Sequence, residues 1–316
     1  MKIIVFPDNL GYPATLPDEP FADVGELRYF NDLPSETEFV RRSKDANAII
    51  LAWIKMTPHI LNACPNLEII SFMGIGVSNY VDLPHAAARG ITICNAPHYG
   101  DHSIAEHTLM LILALARKVI LADKSVRAGA WEQEKLEGSE LHGKTLGIVG
   151  LGGVGSKVAA LGNALGMTVI CHTSHPSPSR AKHHHIRFVG IDELLQSADV
   201  VSLHLATTSE TKPFIGSQEL AQMKTTALFI NTARAELVDT TALAEAVRIG
   251  VIAGAATDVW NEEPPQPSHP LLIADNVVLT PHIAWNTTAA KSNILSMCIE
   301  NVRAFFLGKS QNVVTL

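Results

Sequence analysis

The sequence predicts an α/β protein of two domains, and three observations predict it. Apolar runs alternate between strand length and helix length along the chain, the signature of strands joined by crossover helices. At 316 residues the chain exceeds one ordinary core and fits two domains of roughly 100–200 residues each. A long helical stretch with a loop after it separates two series of strands, which puts a junction near residue 100.

The first strand series comprises residues 2–6 (Lys2-Ile3-Ile4-Val5-Phe6), 48–52, 69–72 and 91–94. From about Ser103 to Arg127 apolar residues recur at helical spacing, so one long helix is expected, with Gly129 as its stop. The second series comprises residues 146–149, 168–171, 200–203, 228–231, 254–258 and 277–279. A last helix is expected over about 286–307, closed by Gly308 and free to pack back on the N-terminal domain. The expected domains are therefore 1–99 with 286–316, and 100–285.

Composition narrows the function. Hydrophobic content of 47% with 17% charged residues is that of a well-packed globular protein. A net charge of -7 argues against nucleic-acid binding, which needs a basic face to neutralise phosphates. The chain opens on a strand without the longer apolar stretch of a signal peptide. Its longest apolar run, 109–116, is far shorter than the ~20 residues that span a bilayer. A cytoplasmic protein with no membrane or nucleic-acid partner is expected. Cys64, Cys94, Cys171 and Cys298 stand singly and read as reduced, buried thiols. His183-His184-His185 cannot all face one ion from a regular element, so they read as a solvated loop, and no metal is expected.

The strand Leu146-Gly147-Ile148-Val149 runs into Gly150-Leu151-Gly152-Gly153-Val154-Gly155 and then into the helical Lys157-Val158-Ala159-Ala160-Leu161. This is G-x-G-x-x-G in a strand–turn–helix setting. Gly150 permits the tight turn, Gly152 lets backbone approach a pyrophosphate, and Gly155 lets helix and strand pack closely. The helix N-terminus adds N–H groups and a positive dipole. The second strand ends in Thr173-Ser174-His175, with Arg180 following, where NAD sites commonly carry an acid for the ribose hydroxyls. Hydroxyls and a cation suit a 2′-phosphate, so NADP is favoured over NAD.

Three segments follow later strands. Asn231-Thr232-Ala233-Arg234 supplies an Arg, Asp258-Val259-Trp260-Asn261-Glu262-Glu263-Pro264 supplies carboxylates, and Thr280-Pro281-His282-Ile283-Ala284-Trp285 supplies a His. Reduction of a 2-keto acid needs a cation or N–H cluster for the carboxylate, an acid for the carbonyl oxygen, and a partner that keeps the acid protonated. Carboxyl ends of strands in an open α/β sheet are where ligands bind.

These segments, with the Gly150 loop and Ala198-Asp199-Val200-Val201-Ser202-Leu203-His204, resemble the D-isomer-specific 2-hydroxyacid dehydrogenases over nearly the whole chain. Gly74-Ile75-Gly76-Val77 with Asp82 and Ala105-Glu106-His107-Thr108 add to the likeness. The resemblance implies two Rossmann-like or flavodoxin-like domains with a closing cleft between them. The outer one, built of both chain ends, would bind substrate; the inner, a doubly wound parallel sheet, would bind NAD(P). It also implies a homodimer through the region of the long helix. Arg234 would clamp the carboxylate and carbonyl oxygen. His282 would be the acid in reduction and the base in oxidation. Glu263, selected over Glu262 by the Glu-Pro dipeptide, would pair with His282 and favour imidazolium. Backbone N–H groups of Ile75 and Gly76 would hold the carboxylate's other end. Thr232, Ala233 and Asp258 would lie beside the cofactor, Asp258 near the nicotinamide amide.

The phosphoglycerate branch of that family places an Arg where this chain reads Leu51-Ala52-Trp53, and with the sequence ending at Leu316 no appended regulatory domain is expected. Trp285, after His282, resembles the glycerate dehydrogenases and the hydroxypyruvate or glyoxylate reductases, and Trp53 would add to a compact aromatic pocket. Glyoxylate or hydroxypyruvate is thus the expected substrate, although Lys55 or His98 would suit something more acidic. The alternatives are a phosphoglycerate-type dehydrogenase and a non-catalytic dinucleotide sensor, which would need the glycine loop but not Arg234, Glu263 and His282.

Overall fold

The structure, a computed structural model, describes residues 1–12, 20–207 and 211–315. The chain forms two compact units, Met1–Gly100 with Thr287–Leu316, and Asp101–Asn286. Each is built on one all-parallel sheet.

In the first unit the strands are β1 (Lys2–Phe6), β2 (Gly25–Tyr29), β3 (Ala48–Leu51), β4 (Ile69–Phe72) and β5 (Thr92–Cys94), with helices α1 (Glu36–Ser43), α2 (Pro58–Ala63) and α3 (Leu83–Ala88). Their order β2-β1-β3-β4-β5 is the flavodoxin-like arrangement. Every residue of β3 and β4 is buried, as in a sheet covered on both faces. The C-terminal helix Thr288–Phe306 belongs to this unit, where Asn301 donates to Asn95 O at 2.9 Å and to Ser71 Oγ at 3.3 Å. Strand β2 has no counterpart in the sequence reading. As a half-exposed edge strand, Gly-Glu-Leu-Arg-Tyr lacks a continuous apolar run.

The second unit opens with α4 (Asp101–Ala116) and α5 (Val119–Arg127). The expected single helix is therefore two, broken at Lys118, whose φ of +51° is left-handed. Helical spacing persists across the break, so periodicity alone could not reveal it. Packing does: α4 buries Ala105, Thr108, Leu111 and Ile112, whereas α5 buries nothing. Next come β6 (Thr145–Val149), α6 (Gly153–Ala164), β7 (Thr168–His172), α7 (Pro178–His184), β8 (Arg187–Phe188), α8 (Ile191–Ser197) and β9 (Val200–Leu203). The unit ends with α9 (Ser217–Gln222), β10 (Leu228–Asn231), α10 (Thr240–Arg248), β11 (Gly254–Thr257) and β12 (Val277–Leu279). The order β12-β11-β10-β9-β6-β7-β8 is that of a doubly wound dinucleotide-binding sheet, with the switch point between β9 and β6.

The histidine tract is also corrected. His183 and His184 close the last turn of α7 and His185 caps it at φ +52°. A loop reading overlooked Pro178 and the Ser177 cap, which start a helix there. Among the described residues no group of three His, Cys, Asp or Glu side chains is placed to hold a metal. The four cysteines are buried and free; burial pushes Cys64 and Cys94 up to about 11 and Cys171 and Cys298 to about 12. Among the described residues no helix is long and apolar enough to cross a membrane.

Register sets the site. His172, Val149, Leu203, Asn231, Thr257 and Leu279 lie in line across six parallel strands. The segments that follow them therefore share one rim of the second unit.

Candidate active site

At the β6 end, Gly150 turns the chain with φ +98°, its N–H donating to His172 O at 2.8 Å. A Cβ at Gly150 would stand 2.5 Å from His204 O, and one at Gly155 2.1 Å from Gly150 O. Both positions need glycine because backbone, which cannot yield, occupies the space. Gly152 is different, since a Cβ there would meet nothing within 4 Å. It is the N-cap of α6 and supplies no side-chain cap. The first turn of the twelve-residue helix α6 thus begins beside open space at the exposed Gly152, with the N–H groups of Gly153, Val154 and Gly155 at the helix's positive end. This cradle fits a dinucleotide pyrophosphate.

Beyond β7, Thr173 is half-buried and Ser174 and His175 are exposed. Ser174 Oγ lies 2.8 Å from His175 Nδ1, and Thr173 Oγ1 accepts the His175 N–H at 3.4 Å. Arg180 reaches back from α7 and donates to His175 O at 2.6 Å and to Leu151 O at 2.5 Å. Its guanidinium thus ties the β7 loop to the glycine loop. Residues 173–180 contain no carboxylate. Burial lowers His204, on the other side of the glycine turn, to about 3, which keeps that imidazole neutral.

At the β10 end, Asn231 shapes the turn that presents Arg234. Its side chain accepts from Ala233 N at 3.0 Å and donates to Arg234 O at 2.8 Å. The half-buried guanidinium of Arg234 donates to Ala233 O at 2.6 Å. Thr232 is buried, with its hydroxyl 2.8 Å from that of Thr108 on α4, so only its backbone is left for a ligand.

At the β11 end, Asp258 is fully buried. One carboxylate oxygen accepts from Thr280 Oγ1 at 2.6 Å and Ile283 N at 2.9 Å, the other from Ala284 N at 2.8 Å. These donors flank His282, which holds φ +56°. A left-handed non-glycine residue costs roughly 1–2 kcal/mol. Hydrogen bonds to a charged group contribute roughly 1.5–3 kcal/mol each, so three outweigh that strain. Asp258 acts here on the His282 segment, a link the sequence did not suggest.

His282 Nδ1 lies 2.8 and 3.0 Å from the two oxygens of Glu263. Glu262 turns away and accepts from Gln266 Nε2 at 2.8 Å. Among the described residues His282 Nε2 has no partner, which leaves it for a reacting oxygen. Burial acts to raise the Glu263 carboxyl. The hydrogen bond and charge of His282, with the Trp260 N–H and the charge of Arg234, outweigh burial and hold it below the usual carboxylate range. Trp285 follows His282, half-buried.

The remaining sequence-predicted residues lie in the first unit. Ile75 and Gly76 precede a short 3₁₀ turn, Val77–Asn79, and among the described residues their N–H groups have no acceptor. Buried Asp8 accepts from Ala52 N, Trp53 N and Ile54 N at 2.7–3.1 Å, and the Trp53 indole donates to Leu10 O at 2.9 Å. Sequence reasoning did not assign roles to Asn231, Thr280, His107, Thr108 or Asp8. Only Asn231 carried a local signal, an Asn at a strand end that can bond its own backbone two residues on.

Comparison with known proteins gives concordant matches. Residues 109–284 match the family described as D-isomer specific 2-hydroxyacid dehydrogenase, NAD binding domain. A D-3-phosphoglycerate dehydrogenase of Archaeoglobus fulgidus is 42% identical over 269 residues, 85% of this chain but only 51% of that protein. The chain thus spans about half the length of that relative. A glyoxylate reductase of Aeropyrum pernix is 40% identical over 297 residues, covering 92% of this chain and 88% of the relative. Among solved structures, an acyclic imino acid reductase in complex with NADPH and D-Arg superposes with a TM-score of 0.85 at 28% identity, over 99% of this chain and all of the other.

Proposed function

Because the chain belongs to the D-isomer specific 2-hydroxyacid dehydrogenase family, we propose that it is a reductase of small 2-keto acids, glyoxylate or hydroxypyruvate, with NADPH as the favoured reductant. The observation that carries this is the His282–Glu263 pair at 2.8 Å on the strand-end rim that also bears Arg234 and the glycine cradle. A binding protein needs the cradle but has no use for an acid held by a carboxylate.

Gly152, Gly153, Val154 and Gly155 would hold the pyrophosphate, and Thr173, Ser174, His175 and Arg180 the adenosine end. The backbones of Thr232 and Ala233 would lie along the nicotinamide side. Bound there, NADPH supplies the hydride. Arg234 presents a planar fork to the substrate carboxylate and the carbonyl oxygen, lowering the cost of negative charge on that oxygen. His282 delivers its Nε2 proton to the same oxygen, while Glu263 at Nδ1 orients the ring and favours its protonated form. Within the first unit, the N–H groups of Ile75 and Gly76, which have no acceptor among the described residues, suit an anionic group, and Trp53 is that unit's candidate substrate contact; Trp285 is the second unit's.

The glyoxylate reductase relative, similar over most of both chains, supports this substrate. A phosphorylated substrate is the second reading, on the strength of the phosphoglycerate relative. Against it stands Leu51-Ala52-Trp53, which offers no cation. We further propose a cytoplasmic homodimer. Ile120, Leu121, Val126 and, most of all, Trp131 at 82% exposure are exposed apolar side chains on and just after α5, the region in which a subunit contact would bury them.

The test is a panel of glyoxylate, hydroxypyruvate, pyruvate and phosphohydroxypyruvate, each with NADPH and NADH. Fastest turnover with glyoxylate or hydroxypyruvate supports the proposal. Fastest turnover with phosphohydroxypyruvate favours the second reading, and tight dinucleotide binding without turnover sinks both. Sedimentation decides the dimer.

A further inference from the structure

His107 and Thr108 are neighbours on α4, so their side chains leave the helix about 100° apart. Thr108 is buried and meets Thr232 beyond β10, with the two hydroxyl oxygens 2.8 Å apart. His107 meets Thr280 beyond β12, Nε2 to Oγ1 at 3.1 Å, and lies 3.6 Å from Asp258. Strand β11 runs between those two strands, so the contacts are about 10 Å apart across the sheet. One turn of one helix thus grips both segments that carry the chemistry.

The protons can be placed. Thr108 donates its hydroxyl hydrogen to Ile104 O at 2.8 Å, so its oxygen accepts from Thr232. Thr280 donates to Asp258 at 2.6 Å, so its oxygen accepts the Nε2–H of His107. The chain then continues from Asp258 to Ile283 N and Ala284 N on the far side of His282. Burial draws the His107 imidazole below its ordinary value, against the charge of Asp258. The geometry requires an N–H at Nε2, and burial favours the ring that carries no charge.

We infer that His107 and Thr108 are positioning residues, a polar brace on α4 that fixes the Arg234 and His282 segments relative to each other. Neither touches a reacting atom. Arg234 follows Thr232 by two residues, and His282 follows Thr280 by two, so each hydroxyl is a short lever on the group it serves. This inference rests on the proposed roles of Arg234 and His282.

The test uses four variants of the full chain. Thr108→Val and His107→Phe keep shape and remove the bonds; Thr108→Ser and His107→Gln restore a hydroxyl and an N–H donor. Kinetics with glyoxylate or hydroxypyruvate are read beside hydrogen–deuterium exchange at residues 232–235 and 280–284. A displacement of about 1 Å can cost on the order of a hundredfold in rate. We expect the first pair to lose about ten- to a hundredfold in kcat, with NADPH KM changed by less than about twofold. Exchange should rise in those two segments, and the second pair should recover most of both effects. A lowered Tm with kcat and local exchange unchanged would mean ordinary packing and overturn the brace. Loss in the first pair without recovery in the second overturns it too. Should wild type turn over none of these acids, the functional reading fails, and exchange alone then decides the brace.

Discussion

The two halves of the rim in the second unit work by different means. At the end of β6 recognition is offered by backbone: glycines at 150, 152 and 155 and the uncapped start of α6. At β10 to β12 it is offered by side chains held by other side chains, as Asn231 holds the Arg234 turn and Asp258 the His282 turn. Backbone N–H groups need no support beyond the helix that carries them, so this half depends on the absence of Cβ atoms. Side chains that move protons need fixed rotamers, so the other half depends on buried polar partners. Substitutions in the first half should therefore act on cofactor affinity and those in the second on turnover.

The largest expected effects test that division directly. His282→Ala and Arg234→Ala should each lose at least about a hundredfold in kcat, since general acid–base catalysis is typically worth about 10²–10⁴. Dinucleotide affinity, read by fluorescence titration, should stay near wild type. Near-normal turnover in either variant would mean that the chemistry lies elsewhere. On the cofactor side, kcat/KM should favour NADPH over NADH by about ten- to a hundredfold, the value of one or two charge-assisted contacts. Thr173→Asp should reverse the ratio by repelling the 2′-phosphate. Wild type preferring NADH, with Arg180→Ala leaving the ratio untouched, would mean that Arg180 serves only its two carbonyl partners.

Much of this was legible in the sequence, for reasons that differ by region. Strands β4 and β9 lie where their apolar runs lie, because a strand covered on both faces is largely apolar along its length. Strands β2 and β8 escaped because edge strands need no such run, and the break at Lys118 escaped because spacing carries no record of a change in φ. The glycine loop was readable because its motif, Gly150 to Gly155, is contiguous in the sequence. Glu263 and His282, 19 residues apart, were paired only through the family resemblance. Thr108 with Thr232 and His107 with Thr280, separated by 124 and 173 residues, belong to tertiary structure. Nothing local distinguishes a bracing Thr from a solvated one.

Glycine substitutions sharpen the contrast within the backbone half. Gly152→Ala adds a methyl that meets no protein atom within 4 Å and projects where phosphate would lie. Cofactor KM should rise about tenfold, equivalent to roughly 1.4 kcal/mol, with Tm unchanged. Gly155→Ala would put its methyl 2.1 Å from Gly150 O, so Tm should fall as well. Equal Tm losses in the two would show that the loop moves as one piece and would undo the separation of turn from cradle.

The smallest expected effect is a displacement of a pH profile, and it probes the side-chain half through the proposed tuning of an acid by a carboxylate. Glu263 lies within hydrogen-bond distance of His282 Nδ1 through both oxygens. Burial works to raise its carboxyl, yet His282 above all holds it below the usual range, so Glu263 stays ionised throughout the neutral region. In the proposed reduction the ring must carry a proton to donate, and a neighbouring negative charge favours such a form. Glu263→Gln keeps the side chain's shape and one acceptor but removes the charge. The proton on His282 is then lost more easily, and the alkaline limb of the reduction profile should move to lower pH. The acidic limb of oxidation, which needs the unprotonated ring, should move in the same direction. Measured together, the two directions separate tuning from damage, because a misfolded or misplaced His282 would lower both rates without displacing either limb. Two limbs left in place would mean that the charge of Glu263 is not what tunes His282, and the comparison would lose its clearest case of one side chain acting through another.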